Sequence, residues 1–156
     1  MELFIREVPY RQLERVRPQL IHFRRRYGDK RVTHKAISWL KQLPAEPYPK
    51  GTLIAVALDG KYLVGVTAIG NYGLDESLIA VKPAYRTKGI GKDLVRFILR
   101  DVDRLYAKVA TDNIPSLKLC LSMGMVAFDL FTGVTGKPTL WLGLGNWDRT
   151  EVRSHQ

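Results

Sequence analysis

Several features are scarce in this 156-residue sequence, and each absence excludes a class of protein. There is one cysteine, Cys120, so no internal disulfide can form and a reducing compartment is expected. No apolar run approaches the ~20 residues needed to cross a bilayer. The start, MELFIREVPYR, carries charges throughout and lacks the apolar core of a signal peptide. We therefore expect a cytoplasmic protein without a membrane partner.

Metal-binding patterns are also missing. The three histidines are scattered, and with a single cysteine they lack the spacing of metal ligands, so we predict no metal site. Hydrophobic residues make up 46% and charged residues 26% of the chain. This is ordinary globular composition, and the length suits one compact domain.

Acidic residues are outnumbered, with 15 Asp and Glu against 25 Lys and Arg, and the net charge is +10. The excess is concentrated in residues 1–50, which hold 12 basic and 5 acidic side chains and peak at Arg24, Arg25 and Arg26. Such a field attracts phosphates, acidic proteins or nucleic acid. A solvated helix face explains the same charges equally well.

The hydrophobic pattern predicts a strand, two helices, three strands, a helix, a strand, a helix and two strands. Pro18 predicts a kink or break in the first helix, with Gly28 as its stop. The dipeptide Asp59-Gly60 predicts a hairpin with a type I′ turn. Hairpins give antiparallel pairs and the strand–helix–strand units give parallel ones, so a mixed sheet is expected. The tail, residues 146–156, is predicted to be loosely ordered.

The most informative stretch is VKPAYRTKGIGKDLV, residues 81–95, which lies between a predicted strand and a predicted helix. A helix N-terminus presents unpaired N–H groups that bind phosphate, and Gly89 and Gly91 would let a pyrophosphate approach the backbone. The stretch is not a Walker A loop, because residue 93 is Asp. It is not a dinucleotide fingerprint either, because Leu94 stands where the third glycine belongs.

Residues 81–94, V-x-P-x-Y-R-x-K-G-I-G-x-x-L, resemble the acyl-CoA-binding motif of the GNAT N-acetyltransferase superfamily. Residues 113–125, N-x-x-S-x-x-L-x-x-x-x-G-M, resemble the second motif of that family. The resemblance implies a single-domain α/β (α+β) GNAT fold over residues 1–145. In that fold a mixed seven-stranded sheet is flanked by about four helices, and a splayed strand pair holds coenzyme A.

The resemblance also implies that acetyl-CoA is the co-substrate. Its pantetheine arm would bond to the backbone near Ile79 and Val81, and its pyrophosphate would lie on the loop. The implied loop residues are Arg86, Thr87, Lys88, Gly89, Ile90, Gly91 and Lys92. Asn113 and Ser116 would contact the cofactor from the next helix. A helix cap is the competing interpretation of Asn113.

The family's reaction is direct attack of an amine on the thioester, which needs a base for the ammonium and an acid for the departing thiolate. Asp75 and Glu76 are the candidate bases. Adjacent strand residues face opposite ways, so only one can serve, and both are equally well explained as turn acids. His34 is a third candidate for the base and is ranked below the two carboxylates. Many family members have an acidic Tyr where this chain has Cys120, whose competing interpretation is a buried hydrophobe; Tyr85 or Tyr106 are further candidates.

The first two helices of this fold usually flank the acceptor, so their charge favours an anionic acceptor, such as an acidic protein or a tRNA-linked amine. Polyamines and aminoglycosides are disfavoured because like charges repel. The predicted function is therefore an N-acetyltransferase acting on a protein- or nucleic-acid-linked amine, and a homodimer is left open. The alternative is a non-catalytic domain that binds acyl-CoA or nucleic acid.

Overall fold

The order of helices and strands agrees with the sequence prediction, with one helix added at the end. A computed structural model describes residues 2–28, 33–133 and 136–155. The elements are β1 (Leu3–Glu7), α1 (Tyr10–Tyr27), α2 (Thr33–Gln42), β2 (Leu53–Asp59), β3 (Tyr62–Gly70), β4 (Glu76–Val81), α3 (Ile90–Leu99), β5 (Arg104–Ala110), α4 (Ile114–Ser122), β6 (Val126–Thr132), β7 (Pro138–Gly145) and α5 (Arg149–His155). Two 3₁₀ segments, Asn71–Gly73 and Pro83–Lys88, precede β4 and α3. None of the described helices is long and apolar enough to cross a membrane.

The seven strands form two antiparallel sheets, in the orders β1-β2-β3-β4 and β5-β7-β6. The expected parallel pairs are absent from the described part of the chain, so the prediction of one mixed sheet is corrected. β7 lies between β5 and β6 and pairs antiparallel with both. β4 and β5 lie side by side but share no hydrogen-bonded ladder. The splayed strand pair implied by the resemblance is therefore present between the two sheets.

The core alternates along β4 because successive side chains of a strand point to opposite faces. Leu78 and Ala80 pack under α1 and α2. Ile79 and Val81 pack on the other face against Ile90 and Leu94 of α3, together with Tyr85 and Phe97. The first sheet is thus covered on both sides. β4, at its edge, takes part in both layers.

Pro18 lies inside α1 without breaking it, so the predicted break is wrong. A proline removes one backbone hydrogen bond and usually kinks a helix. Here Leu13 before it and Leu20 and Phe23 after it are all buried in the same core, which stabilises the helix on both sides of the proline.

Gly28 follows α1, as predicted, but for a different reason from the expected one. Its φ of −82° is not left-handed. A Cβ at this position would overlap the guanidinium of Arg24, which folds back against the glycine. The missing side chain therefore makes room for a buried arginine.

The hairpin between β2 and β3 has a two-residue loop, Gly60-Lys61, since Asp59 pairs with Tyr62. Only Gly60 has a positive φ, at 58°. A type I′ turn needs positive φ at both loop residues, whereas type II′ needs it at the first, where glycine is favoured. The predicted type I′ turn is therefore corrected to the type II′ pattern.

The tail, expected to be loosely ordered, contains α5, and its Val152 is 1% exposed. Glu151 accepts hydrogen bonds from Arg104 Nε at 2.7 Å and from the Tyr106 hydroxyl at 2.7 Å. The Asp148 N–H donates to the same hydroxyl. The tail is mostly polar, so its composition did not predict these contacts with β5, which involve the side chains of one apolar residue, Val152, and one carboxylate, Glu151.

If the tail is anchored through Val152, its truncation to alanine should cost stability. We expect Val152→Ala to lower the free energy of unfolding by about 1–3 kcal/mol, because the removed methyl groups leave a cavity. Val126→Ala is the matched control, since Val126 is 51% exposed, and it should change stability by less than about 0.5 kcal/mol. Urea denaturation measures both, and equal effects would contradict the anchoring.

Candidate active site

The edge of β4 that faces β5 carries free backbone positions. Lys82 N–H donates to Val64 O on β3 at 2.9 Å, and hydrogen-bonded pairs alternate along an antiparallel ladder. The backbone groups of Ile79 and Val81 therefore point away from β3, into the gap between the sheets. Arg86 Nε donates to Val81 O at 3.0 Å, which agrees with this orientation. These are the two backbone positions predicted to receive pantetheine.

One end of this gap is closed by the 3₁₀ turn before β4. Asn71 and Tyr72 have positive φ values of 50° and 61°, a conformation that is costly for residues other than glycine. A Cβ at Gly73 would overlap the carbonyl oxygen of Tyr106 on β5. The turn is thus pressed against the backbone of β5, and it sets where β4 begins relative to that strand.

A groove of about 600 Å³ runs from this gap to the start of α3. Gly89, with φ of 77°, turns the chain into α3, whose first N–H groups have no acceptor within the helix. A Cβ at Gly91 would point between Leu119 and Ile79, at 3.6 and 3.8 Å. Most of the predicted cofactor residues line the groove: Ile79, Val81, Arg86, Gly89, Gly91, Lys92, Asn113 and Ser116.

Three predicted loop residues have side chains elsewhere. Thr87 and Lys88 are exposed and do not line the groove. Ile90 is 2% exposed and packs in the core beneath the loop. Only their backbone N–H groups remain candidates for phosphate binding. Asn113 occupies the N-cap position of α4, as the helix-cap interpretation expects, but its side chain makes no capping hydrogen bond.

A second cavity of about 190 Å³ adjoins the groove. The two share Ile79, Asn113, Ser116 and Leu119, so a molecule lying in the groove reaches the cavity directly. Cys120 lines the cavity on the side of α4. Arg24, Lys35, Glu76 and Lys108 line it on the side of α1 and α2.

Glu76 is the acidic residue in this cavity. It begins β4 on the same face as Leu78 and Ala80, the face that packs under α1 and α2. Its Oε1 accepts a hydrogen bond from Ser77 N–H at 3.1 Å, and its Oε2 is buried with no hydrogen-bond donor among the described residues. Burial raises the pKa of Glu76, opposed by the Ser77 bond and by nearby Lys35, Lys108 and Arg24. Such a carboxylate can take a proton.

The other two candidate bases, Asp75 and His34, lie outside the cavity. Asp75 is exposed before the start of β4, and His34 is exposed on α2. Neither lines the cavity, whereas the next residue along the chain does so in both cases. Of the three candidate bases, the structure therefore brings only Glu76 to the cavity.

Of the three candidate acids, Cys120 lines the cavity and the two tyrosines do not. Tyr85 donates its hydroxyl proton to Asp59 at 2.7 Å, and Tyr106 is bound to the tail; neither lines the cavity. Cys120 does line it, but burial raises the pKa of its thiol to about 11. A thiol of normal pKa, ~8.5, is a stronger acid than that, so Cys120 would protonate a departing thiolate only against the pKa difference.

Sequence reasoning missed Lys35 and Lys108, and it treated Arg24 together with Arg25 and Arg26, either as a charge that attracts anions or as a solvated helix face. Arg24 is 3% exposed and lines the cavity, while Arg25 and Arg26 are exposed. Lys108 interrupts the apolar strand sequence RLYAKVA, and that interruption was a readable signal. Nothing local in the sequence indicates that Lys35 approaches Lys108 across the gap. No described group of three or more His, Cys, Asp or Glu side chains is placed to hold a metal ion.

The family model of the GNAT acetyltransferases matches residues 17–125, which span both motifs and the whole lining of the groove. The chain belongs to this family. A sequence search among curated proteins finds no significant match.

Solved structures of GNAT acetyltransferases share the fold at low sequence identity. A GNAT acetyltransferase of Bacillus cereus has a TM-score of 0.67 at 13% identity, covering 95% of this chain and 100% of the other. The ribosomal-protein-S18-alanine N-acetyltransferase of Escherichia coli has 0.64 at 18%, covering 92% and 93%. YncA of Salmonella typhimurium, solved with its cofactor acetyl-CoA, has 0.63 at 17%, covering 96% of each chain.

If acetyl-CoA occupies the groove, a side chain at position 91 should exclude it. We expect acetyl-CoA to raise the Tm of the wild type, since a ligand at a hundredfold excess over Kd stabilises the fold by about 2.7 kcal/mol. Gly91→Val should abolish this shift and Gly91→Ala should weaken it, because the Ala Cβ meets Leu119 and Ile79 only at ordinary contact distance. A full shift in folded Gly91→Val would contradict the assignment of the groove.

Proposed function

We propose that this GNAT acetyltransferase transfers an acetyl group from acetyl-CoA to a primary amine by direct attack, with Glu76 as the general base. The observation that carries the proposal is the junction of the two cavities. The groove fits the cofactor, the cavity holds a buried carboxylate, and they meet at four shared residues. A thioester at that junction would lie between its binding site and the base.

Cofactor binding would use the open edge of β4 and the N-terminus of α3. Pantetheine amides would bond to the backbones of Ile79 and Val81, and the pyrophosphate would bind the N–H groups near Gly91 with Lys92. Arg86 now donates to Val81 O and to Tyr27 O. A pantetheine N–H that took Val81 O would release this guanidinium toward the phosphates.

In the reaction, Glu76 accepts a proton from the acceptor ammonium, and the freed amine attacks the carbonyl carbon of the thioester. The carbon–sulfur bond breaks and the thiolate leaves, while a backbone N–H stabilises the oxyanion. A raised carboxyl pKa suits Glu76 to this step, because a base acts best when its pKa approaches the working pH. The nitrogen loses its second proton as the amide forms, and solvent carries a proton to the departing thiolate, because burial raises the pKa of the Cys120 thiol to about 11, above that of the thiol being formed.

The acceptor is proposed to be an anionic molecule that presents a terminal amine, such as an acidic protein or a tRNA-linked amine. The cavity of about 190 Å³ is smaller than sites that enclose whole drug-sized ligands, so it would admit the amine and its nearest atoms. One structural neighbour is named for a protein N-terminal alanine acceptor. Another is named for spermidine, but a polyamine would be repelled by Arg24, Lys35 and Lys108.

The choice between the two adjacent carboxylates gives a direct test. Glu76→Gln should lower kcat by roughly 10²-fold, the scale of losing a general base, and leave the KM for acetyl-CoA nearly unchanged. Activity of the wild type should fall as pH drops through a pKa above the usual Glu value of ~4.3, because the base must be ionised. This limb should be missing in Glu76→Gln.

Asp75→Asn is the matched control, because it removes the neighbouring negative charge outside the cavity and should keep both kcat and the pH profile. A larger loss in Asp75→Asn than in Glu76→Gln would reverse the assignment. Absence of thioester cleavage with every amine, despite a normal acetyl-CoA thermal shift, would favour the non-catalytic acyl-CoA-binding alternative.

The exposed arginines at the end of α1 allow a separate test of long-range attraction. Arg24 is buried, so only Arg25 and Arg26 are changed. Arg25→Gln/Arg26→Gln should raise the KM for an anionic acceptor and reduce its dependence on salt, because screening acts on long-range attraction. Arg96→Gln/Arg100→Gln removes the same charge from α3, away from the cavity, and should have less effect. Identical salt dependence in both variants would show that Arg25 and Arg26 do not steer the acceptor.

A further inference from the structure

Three basic side chains and one carboxylate face the same small cavity. Arg24 comes from α1, Lys35 from α2 and Lys108 from β5, around Glu76 at the start of β4. Asp75 is the other acid close enough to affect Lys108. The cations outnumber the acids, and they belong to three elements that are distant in sequence.

The ammonium of Lys108 lies over the Trp141 ring, 5.2 Å from its centroid, and Lys35 and Lys108 line the same cavity. In the described part of the chain, neither takes part in an ion pair. Partial desolvation, followed by the hydrogen bond and charge of Lys35, lowers the pKa of Lys108 to about 8, although both lysines are exposed as whole residues. Two neighbouring ammonium groups repel, and an anion bound between them would remove that cost.

We propose that the acceptor is a zwitterion, with a carboxylate or similar acid only a few bonds from its reacting amine. Its ammonium binds Glu76, and its acid binds between Lys35 and Lys108. This rests on the proposed function, and it narrows the acceptor from any anionic molecule to one with both charges at the reacting end.

Burial and position support this pairing of charges. Glu76 lines the cavity, and its Oε2 is buried without a donor among the described residues, which suits an incoming ammonium once that oxygen turns toward it. Lys35 and Lys108 do not line the cofactor groove, where Arg86 and Lys92 are the residues proposed to bind the phosphates. The cavity is smaller than sites that enclose whole drug-sized ligands, so an acid bound inside it together with the amine lies within a short chain of bonds of that amine.

The first arm of the experiment compares matched amines by release of coenzyme A. Free α-amino acids are compared with their carboxamides, and peptides that begin with Asp are compared with peptides that begin with Asn. We expect about 10-fold or higher kcat/KM for the acidic member of the preferred pair, the scale of charge-assisted hydrogen bonds. The pair with the larger ratio distinguishes a free amino acid from the N-terminus of a chain.

The second arm changes the lysines. Lys35→Gln and Lys108→Gln should each reduce the acidic-to-neutral ratio toward one, while Lys35→Arg and Lys108→Arg should retain most of it. Lys41→Gln removes the same charge from an exposed position of α2 outside the cavity and should keep the ratio. The acetyl-CoA thermal shift should be unchanged in all five variants.

The third arm needs no turnover. The pKa of Lys108, followed by NMR of labelled lysine with coenzyme A bound, should rise when the preferred acidic amine is added and stay constant with its neutral counterpart. Equal turnover of acidic and neutral amines, or a Lys108 pKa that does not respond, overturns the zwitterion proposal alone. Absence of acetylation with an intact Lys108 response overturns the proposed catalysis and leaves the binding site standing.

Discussion

The separation of β4 from β5 is the constraint on which the rest of the site depends. A sheet edge inside a fold leaves backbone N–H and C=O groups that must find partners. Here Arg86 donates to the carbonyl of Val81, and the Ser77 N–H donates to Glu76, so these two groups of the edge are satisfied by side chains that a ligand can displace. The gap is held by close packing at one end, where the turn containing Gly73 lies against Tyr106. The amide groups of pantetheine can hydrogen-bond to such an edge, as the backbone of another strand would.

The two-residue period of β4 separates the two halves of the proposed reaction. Glu76, Leu78 and Ala80 face α1 and α2, whereas Ile79 and Val81 face α3. The acceptor and the cofactor would therefore approach from opposite faces of one strand. They meet only because β5 is not bonded to β4, since a closed ladder would leave no passage between the faces. The unpaired edge thus provides both the binding groups and the route to the base.

Local signals predicted the element order well, because glycine, proline and hydrophobic period act within a few residues. Sheet pairing was mispredicted because it depends on β7, which is distant in sequence from β5 and inserts between β5 and β6. Pro18 misled because burial of Leu13 and Leu20 outweighs one lost hydrogen bond. The period of two showed that only one of Asp75 and Glu76 faces the acceptor side, but which one depends on where α1 and α2 pack. The cluster of Lys35 and Lys108 joins α2 to β5, and no local pattern encodes that contact.

The positive charge of the first fifty residues has two physical roles that sequence cannot separate. Arg25 and Arg26 are exposed, so their field extends into solvent and is screened by salt within about 10 Å. Arg24 is one position earlier but buried, with Gly28 leaving space for its guanidinium. Inside the cavity, solvent and salt screen charges less, so each charged side chain acts on the groups in direct contact with it. Consecutive arginines on one helix can therefore differ in role, because the exposed ones attract anions at a distance whereas the buried one acts only on a molecule in contact with it. The helical period decides which arginine is exposed and which is buried.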